Sequence, residues 1–194
     1  MRAERIATLL ESVDSVLLPQ GFRRGARAQE WHRMAGPSDE AWVHVNIGKG
    51  VVNPSVGVRY LDLAGLLPEA VGSVDRTMQM LGGLFRPVHT YSLDAGPETL
   101  LDDLRERGVA ALARLLDRHA VIDMLKSPAP SDWPVPGLSW RIRLLPLLLA
   151  TQGRVEEALH VADGFRADAA GRDQILPGYA AFLDAFRTRF AIQP

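Results

Sequence analysis

The chain contains no cysteine. This excludes disulfides, thiolate metal sites and cysteine nucleophiles, and it fits a reducing compartment. Lysine is nearly absent as well: Lys49 and Lys126 are the only two, so arginine supplies almost all of the 22 basic residues, which stand against 23 acidic ones. The formal net charge of −1 leaves no overall field to attract nucleic acid or an anionic membrane. Long apolar runs are also missing. The densest, Leu144 to Ala150, includes Pro146 and falls far short of the roughly 20 residues a membrane-spanning helix needs. Glu4 and Glu11 break the apolar pattern of the N-terminal segment, which does not suit a signal peptide. The expectation is a cytoplasmic protein with no membrane partner.

What is present is a clear change of pattern along 194 residues, a length that supports a sizeable core without metals or disulfides. Ile6, Leu9, Leu10, Val13, Val16 and Leu17 recur at three- and four-residue spacing and predict a helix over 3–18. Pro19 and Gly21 end it, and Phe22-Arg23-Arg24 follows. Three alternating segments, 28–34, 41–47 and 55–61, then predict strands. Gly36-Pro37-Ser38-Asp39 separates the first two; Gly48-Lys49-Gly50 and Asn53-Pro54 mark the next connection. Short strands with no helices between them pair antiparallel. In the middle strand Val43, Val45 and Ile47 make the natural core face, for which helix 3–18 is the expected cover.

Further on, a weaker helix is expected over 68–84, a fourth strand over 86–93, and the clearest helix over 97–118, with its apolar period continuing through Val121, Met124 and Leu125. Ser127 to Gly137 holds four prolines and reads as a linker. Beyond it, 138–152, 154–168 and 173–191 read as helices separated by Gly153 and Gly171. The stretch Leu149 to Leu159 looks like the turn of a tetratricopeptide-type hairpin, but no repeat of about 34 residues accompanies it, so a single hairpin is expected. The predicted fold class is α+β: an antiparallel meander of about four strands packed by helices within 1–126, a linker over 127–137, and a helical extension over 138–194 packed on the first domain.

No motif for catalysis is found. Gly48-Lys49-Gly50 lacks the spacing of a phosphate loop and reads as a hairpin turn, and there is no nucleophile elbow, zinc-protease motif or dinucleotide fingerprint. The histidines at 32, 44, 89, 119 and 160 are scattered, with none of the clustering a metal site requires. His119 with Asp123, and Glu156 with His160, have the spacing of ordinary helix-surface pairs. Asp102 and Asp103 suit the start of a helix, and Arg105 and Arg107 a solvated face. Catalytic residues, metal and cofactor are therefore all expected to be none. Arg23, Arg24 and Arg27 form the one local basic concentration; Glu30, Asp39 and Glu40 follow closely, and nucleic acid ranks below protein as a partner. The non-core face of the meander is either covered by the chain's own C-terminal helices, with Trp42 as a core residue, or it is the candidate partner surface. Trp42, His44, Asn46 and Arg59 share it, joined by Trp31 and Arg33 if the register allows, and Trp and Arg are enriched among interface hot spots.

One resemblance emerges from these residues. The order is a helix, then Leu18-Pro19-Gln20-Gly21-Phe22-Arg23-Arg24-Gly25, a strand bearing Trp31, then Val43-His44-Val45-Asn46-Ile47 and Val56-Gly57-Val58. It resembles a bacterial family catalogued as a domain of unknown function, over roughly residues 5–61; the family's more usual polar, Gln-rich ending is replaced here by Gly48-Lys49-Gly50. The resemblance carries over no catalytic residues. Some of that family's members look like immunity proteins that neutralise a co-encoded toxin, so it implies a non-enzymatic protein-binding role of that kind. The alternative is a small-ligand protein or enzyme using His32, His44, Asn46 and Arg59, with its site between the sheet and the C-terminal helices.

Overall fold

The computed structural model describes residues 2–64, 83–127, 138–169 and 179–190. Contacts divide the chain into two compact units, Met1–Arg59 with Gly83–Asp117, and Tyr60–Gly82 with Arg118–Pro194. The architecture is α+β, an antiparallel sheet followed along the chain by helices. Among the described residues no helix is long and apolar enough to cross a membrane.

The first unit opens with α1 (Arg2–Leu17), whose predicted stripe is buried through Leu9, Leu10, Val13, Val16 and Leu17. A 3-10 turn, Leu18–Gln20, lets the chain out. Gly21 there has φ of 82°, a left-handed conformation that a side chain would strain, and its N–H closes the turn on the Leu18 carbonyl at 3.0 Å. Phe22 then drops into the core at 2% exposure.

Six strands follow: β1 (Arg23–Arg24), β2 (Glu30–Met34), β3 (Asp39–Gly48), β4 (Val51–Tyr60), β5 (Gly83–Pro87) and β6 (Tyr91–Ser92). They form one sheet in the order β1-β2-β3-β4-β5, with β6 also on β4. Lys49 (φ 50°) and Gly50 (φ 81°) make the two-residue turn between β3 and β4. Two consecutive positive φ values match the twist of paired strands, so the Gly-Lys-Gly sequence is a hairpin device.

The expected break at Asn53-Pro54 is corrected: both residues lie inside β4, which starts at Val51. The missing proline N–H is tolerated because Pro54 falls between two partners. β6 pairs with Val51 and Val52, β5 pairs from Ser55 onward, and the Pro54 carbonyl still accepts from Val88 N–H at 3.0 Å. The fourth strand expected over 86–93 is likewise split into β5 and β6. The helix expected over 68–84 lies outside the described residues, apart from 83–84, which begin β5.

After the sheet come α3 (Glu98–Asp103), a π-helical turn (Leu104–Gly108) and α4 (Val109–Leu116). Leu100, Leu101, Leu104, Leu112 and Leu115 are buried. Gly108 permits close approach to the sheet: a Cβ there would lie 3.0 Å from Leu104 Cδ1 and 3.3 Å from Val56 Cγ1. The sequence reads 97–125 as one continuous apolar period, but Asp117 turns extended (φ −80°, ψ 98°) and ends the helix.

The second unit holds α2 (Leu61–Ala64), α5 (Arg118–Lys126), α6 (Leu138–Thr151), α7 (Val155–Ala169) and α8 (Tyr179–Phe190). Residues 128–137 of the expected linker lie outside the described residues. Arg118 forks onto Asp62 at 2.7 and 2.8 Å and covers the Tyr60 ring at 4.9 Å. α6 and α7 form the expected hairpin, turned at Gly153 (φ 76°).

Pro146 sits inside α6 and cannot donate to the Ile142 carbonyl. The Tyr179 hydroxyl takes that place, 3.3 Å from Ile142 O and 3.0 Å from Ala162 O, and so ties α6, α7 and α8 at one point. Burial raises the Tyr179 pKa well above the ordinary tyrosine value, so the hydroxyl stays a donor. Tyr179→Phe retains the ring stack on Phe182 and is expected to cost about 1–2 kcal/mol in urea unfolding through the lost hydrogen bond.

Candidate functional site

The sheet sorts its side chains by alternation, and the register decides which residues share a face. Trp31 pairs with Val43 and Arg33 with Ala41. Val43, Ala41 and Trp31 are fully buried, and this is the face that α1 and the α3–α4 helix cover. Trp31 Nε1–H donates to Asp14 of α1 at 2.7 Å. Arg33 lies over the Phe22 ring at 4.9 Å and donates to the Gln20 carbonyl at 3.1 Å. The register thus removes Trp31 and Arg33 from the candidate partner surface, because both have the same parity as the core valines.

The other face carries Glu30 opposite His44, His32 opposite Trp42, and Met34 opposite Glu40. Trp42, His44 and Arg59 are half-buried there, and Asn46 is exposed. Arg59 Nη1 donates to Glu40 Oε2 at 3.1 Å, and its guanidinium lies 5.9 Å from the Trp42 ring centroid. His32 sits between two carboxylates, with Nδ1 3.5 Å from Glu40 and Nε2 3.7 Å from Glu30. Arg27 reaches Glu30 at 3.4 Å. The result is a charge-paired platform around an indole. Among the described residues no three His, Asp or Glu side chains converge as a metal site.

Burial pushes the His44 imidazole below its ordinary pKa; Glu30 opposes this and Arg27 adds to it. On the covered face, Asp14 is held below the usual carboxylate range by its hydrogen bonds from Arg24, against a smaller opposing effect of burial, with Trp31 helping. Both groups have a lower pKa folded than unfolded. Each therefore contributes stability that is complete above its unfolded value and is lost as the pH falls toward its folded value. With unfolded values of about 6.5 for His and about 3.9 for Asp, His44 begins to cost stability first and Asp14 only in stronger acid. His44→Gln is expected to flatten the stability profile below about pH 6.5 and to leave the limb below about pH 4 in place, as urea midpoints across pH would show.

The arginines after Gly21 divide. Arg24 makes a fork onto Asp14, at 2.9 and 3.0 Å from Nε and 2.7 Å from Nη2, and stacks on Trp31 at 5.6 Å. Its role is architectural. Arg27 pairs with Glu30, leaving Arg23 exposed on the short edge strand β1.

A second polar cluster is invisible from sequence. The Tyr91 hydroxyl donates to Asp103 Oδ2 at 2.5 Å, and Arg107 Nε lies 3.5 Å from Asp103 Oδ1. Arg107 also contacts His89 Nε2, which is 3.9 Å from Asp103 Oδ2. Arg107, read from sequence as part of a solvated face, borders a cleft of about 310 Å³ together with Val56, Val88, His89, Ala110, Ala111 and Arg114. Only the spacing 107, 110, 111, 114, which is one face of a helix, hints at it in the sequence.

Fold and site together define an α+β protein whose sheet has one face closed by α1 and the α3–α4 helix, while the opposite face carries an aromatic, charge-paired arrangement. Comparison with models of known families, with curated proteins and with solved structures found no significant match.

Proposed function

We propose that the protein works by binding another protein through the outer face of β2–β4, without catalysing a reaction. The observation that carries this reading is the Trp42–Arg59–Glu40 arrangement, an indole and a guanidinium held together on a half-buried sheet face. Trp and Arg dominate the energetics of protein interfaces because they combine a large contact area with directed donors. Here the Arg59 fork is already oriented by a carboxylate, so little conformational entropy remains to be lost on association. In its most specific form the reading is that of an immunity protein that neutralises a co-encoded toxin, as the resemblance over residues 5–61 implies.

The test is co-expression with the product of the adjacent gene in a growth assay. The proposal expects the wild-type chain to restore growth and the Trp42→Ala/Arg59→Ala double variant to fail while keeping its circular dichroism spectrum. Rescue by the double variant at the wild-type level would count against the face, and absence of any rescue by the wild type against the toxin-neutralising role.

A further inference from the structure

We propose that the cleft between β4, the connection 88–90 and the π turn–α4 segment binds a small monocarboxylate with a short apolar body. This site is separate from the protein-binding face. Its volume of about 310 Å³ is at the lower end of small-ligand pockets, roughly 300–1,000 Å³. Its lining has two chemistries. Val88, Ala110 and Ala111 offer an apolar surface over the buried Val56, while Arg107, Arg114 and His89 offer donors.

The apolar wall beside the donors selects the ligand. Among the described side chains, Arg107 and Arg114 bring two positive charges to the cleft and Asp103 one negative charge at its border. Such a border suits a carboxylate with an apolar body better than inorganic phosphate, which has no part to place against Val88, Ala110 and Ala111. Guanidinium forks fit a carboxylate in two parallel hydrogen bonds. The two arginines are also prepared differently. Arg107 is held by Asp103, which Tyr91 in turn fixes, whereas Arg114 makes no hydrogen bond or ion pair among the described residues. One guanidinium is thus positioned and the other is available. The backbone supplies an independent sign: residues 104–108 form a π turn, an irregularity that recurs at functional sites because it shifts the side chains on either side of it.

Calorimetric titration of the full chain with butyrate and with benzoate, alongside inorganic phosphate, tests the assignment. The expected result is saturable one-to-one binding of a carboxylate, weaker binding of phosphate, and at least a tenfold loss of carboxylate affinity in Arg114→Gln. Arg114 is exposed, so thermal unfolding of that variant should match the wild type; amide shifts at Ala110 and Ala111 on adding butyrate give a second readout that does not depend on the substitution. Absence of saturable binding by either carboxylate, phosphate binding tighter than both, or affinity unchanged in Arg114→Gln would each overturn the proposal. None of these outcomes bears on the protein-binding face, which a separate experiment tests.

Discussion

Trp31→Ala is expected to lower the unfolding free energy by about 3–5 kcal/mol, the cost of emptying a large aromatic site in a packed core. Trp31 is fully buried and faces Val43 across β2 and β3. It also fills a polar role that no aliphatic residue can replace. Its indole N–H satisfies Asp14, which sits within the apolar stripe of α1 and is further neutralised by Arg24. Alanine removes the ring and one of the donors at the same stroke. Trp31→Phe separates the two contributions: it keeps most of the volume, and its expected cost of about 1–3 kcal/mol reflects the lost indole N–H donor to Asp14 Oδ1, which still accepts from Arg24 Nε. Urea unfolding of both variants measures the difference. A loss below about 1 kcal/mol for Trp31→Ala would contradict the placement of the indole in the core.

The same residue shows how far the sequence could be read. Helix 3–18 and the strand at Val43, Val45 and Ile47 were legible because strict periodicity ties side chains to faces without reference to any other element. The parity of the neighbouring strand was not. Whether Trp31 points with Val43 or with Trp42 depends on the register across the 35–38 turn, and one residue of slip reverses every side chain. A signal for the correct choice was present in α1, where Asp14 lies beside Leu10, Val13 and Leu17 and needs a buried donor. The helix boundary at Asp117 was hidden for another reason, since Leu115, Leu116, Val121 and Leu125 continue one apolar period across it. The His89–Tyr91–Asp103–Arg107 cluster joins a strand connection to a π turn, and neither its long-range contact nor its irregular helix leaves a periodic trace.

The second large effect concerns the outer face. If the proposed protein partner binds this face, Trp42→Ala is expected to weaken the complex by about 2–4 kcal/mol, roughly a 30- to 700-fold rise in Kd, as is typical of an aromatic hot spot. The size follows from what the residue provides. Its indole supplies contact area and also supports the Arg59 guanidinium, which Glu40 holds from the other side. Removing the ring therefore takes away one anchor and loosens the second. Arg59→Ala is expected to cost a similar amount, and the double variant less than the sum of the two, because the residues act as a unit. Trp42→Phe, which keeps a ring beneath the guanidinium, should fall between wild type and alanine.

The proposed protein-binding role is tested most directly by the Kd of the product of the adjacent gene, the proposed partner, for the wild-type chain, for Trp42→Ala and for Glu106→Ala, an exposed substitution on the π turn away from the sheet face. Tight binding is expected for the wild type and for Glu106→Ala, and a loss of at least 30-fold for Trp42→Ala at unchanged urea midpoint. Equal affinity for all three chains would contradict it.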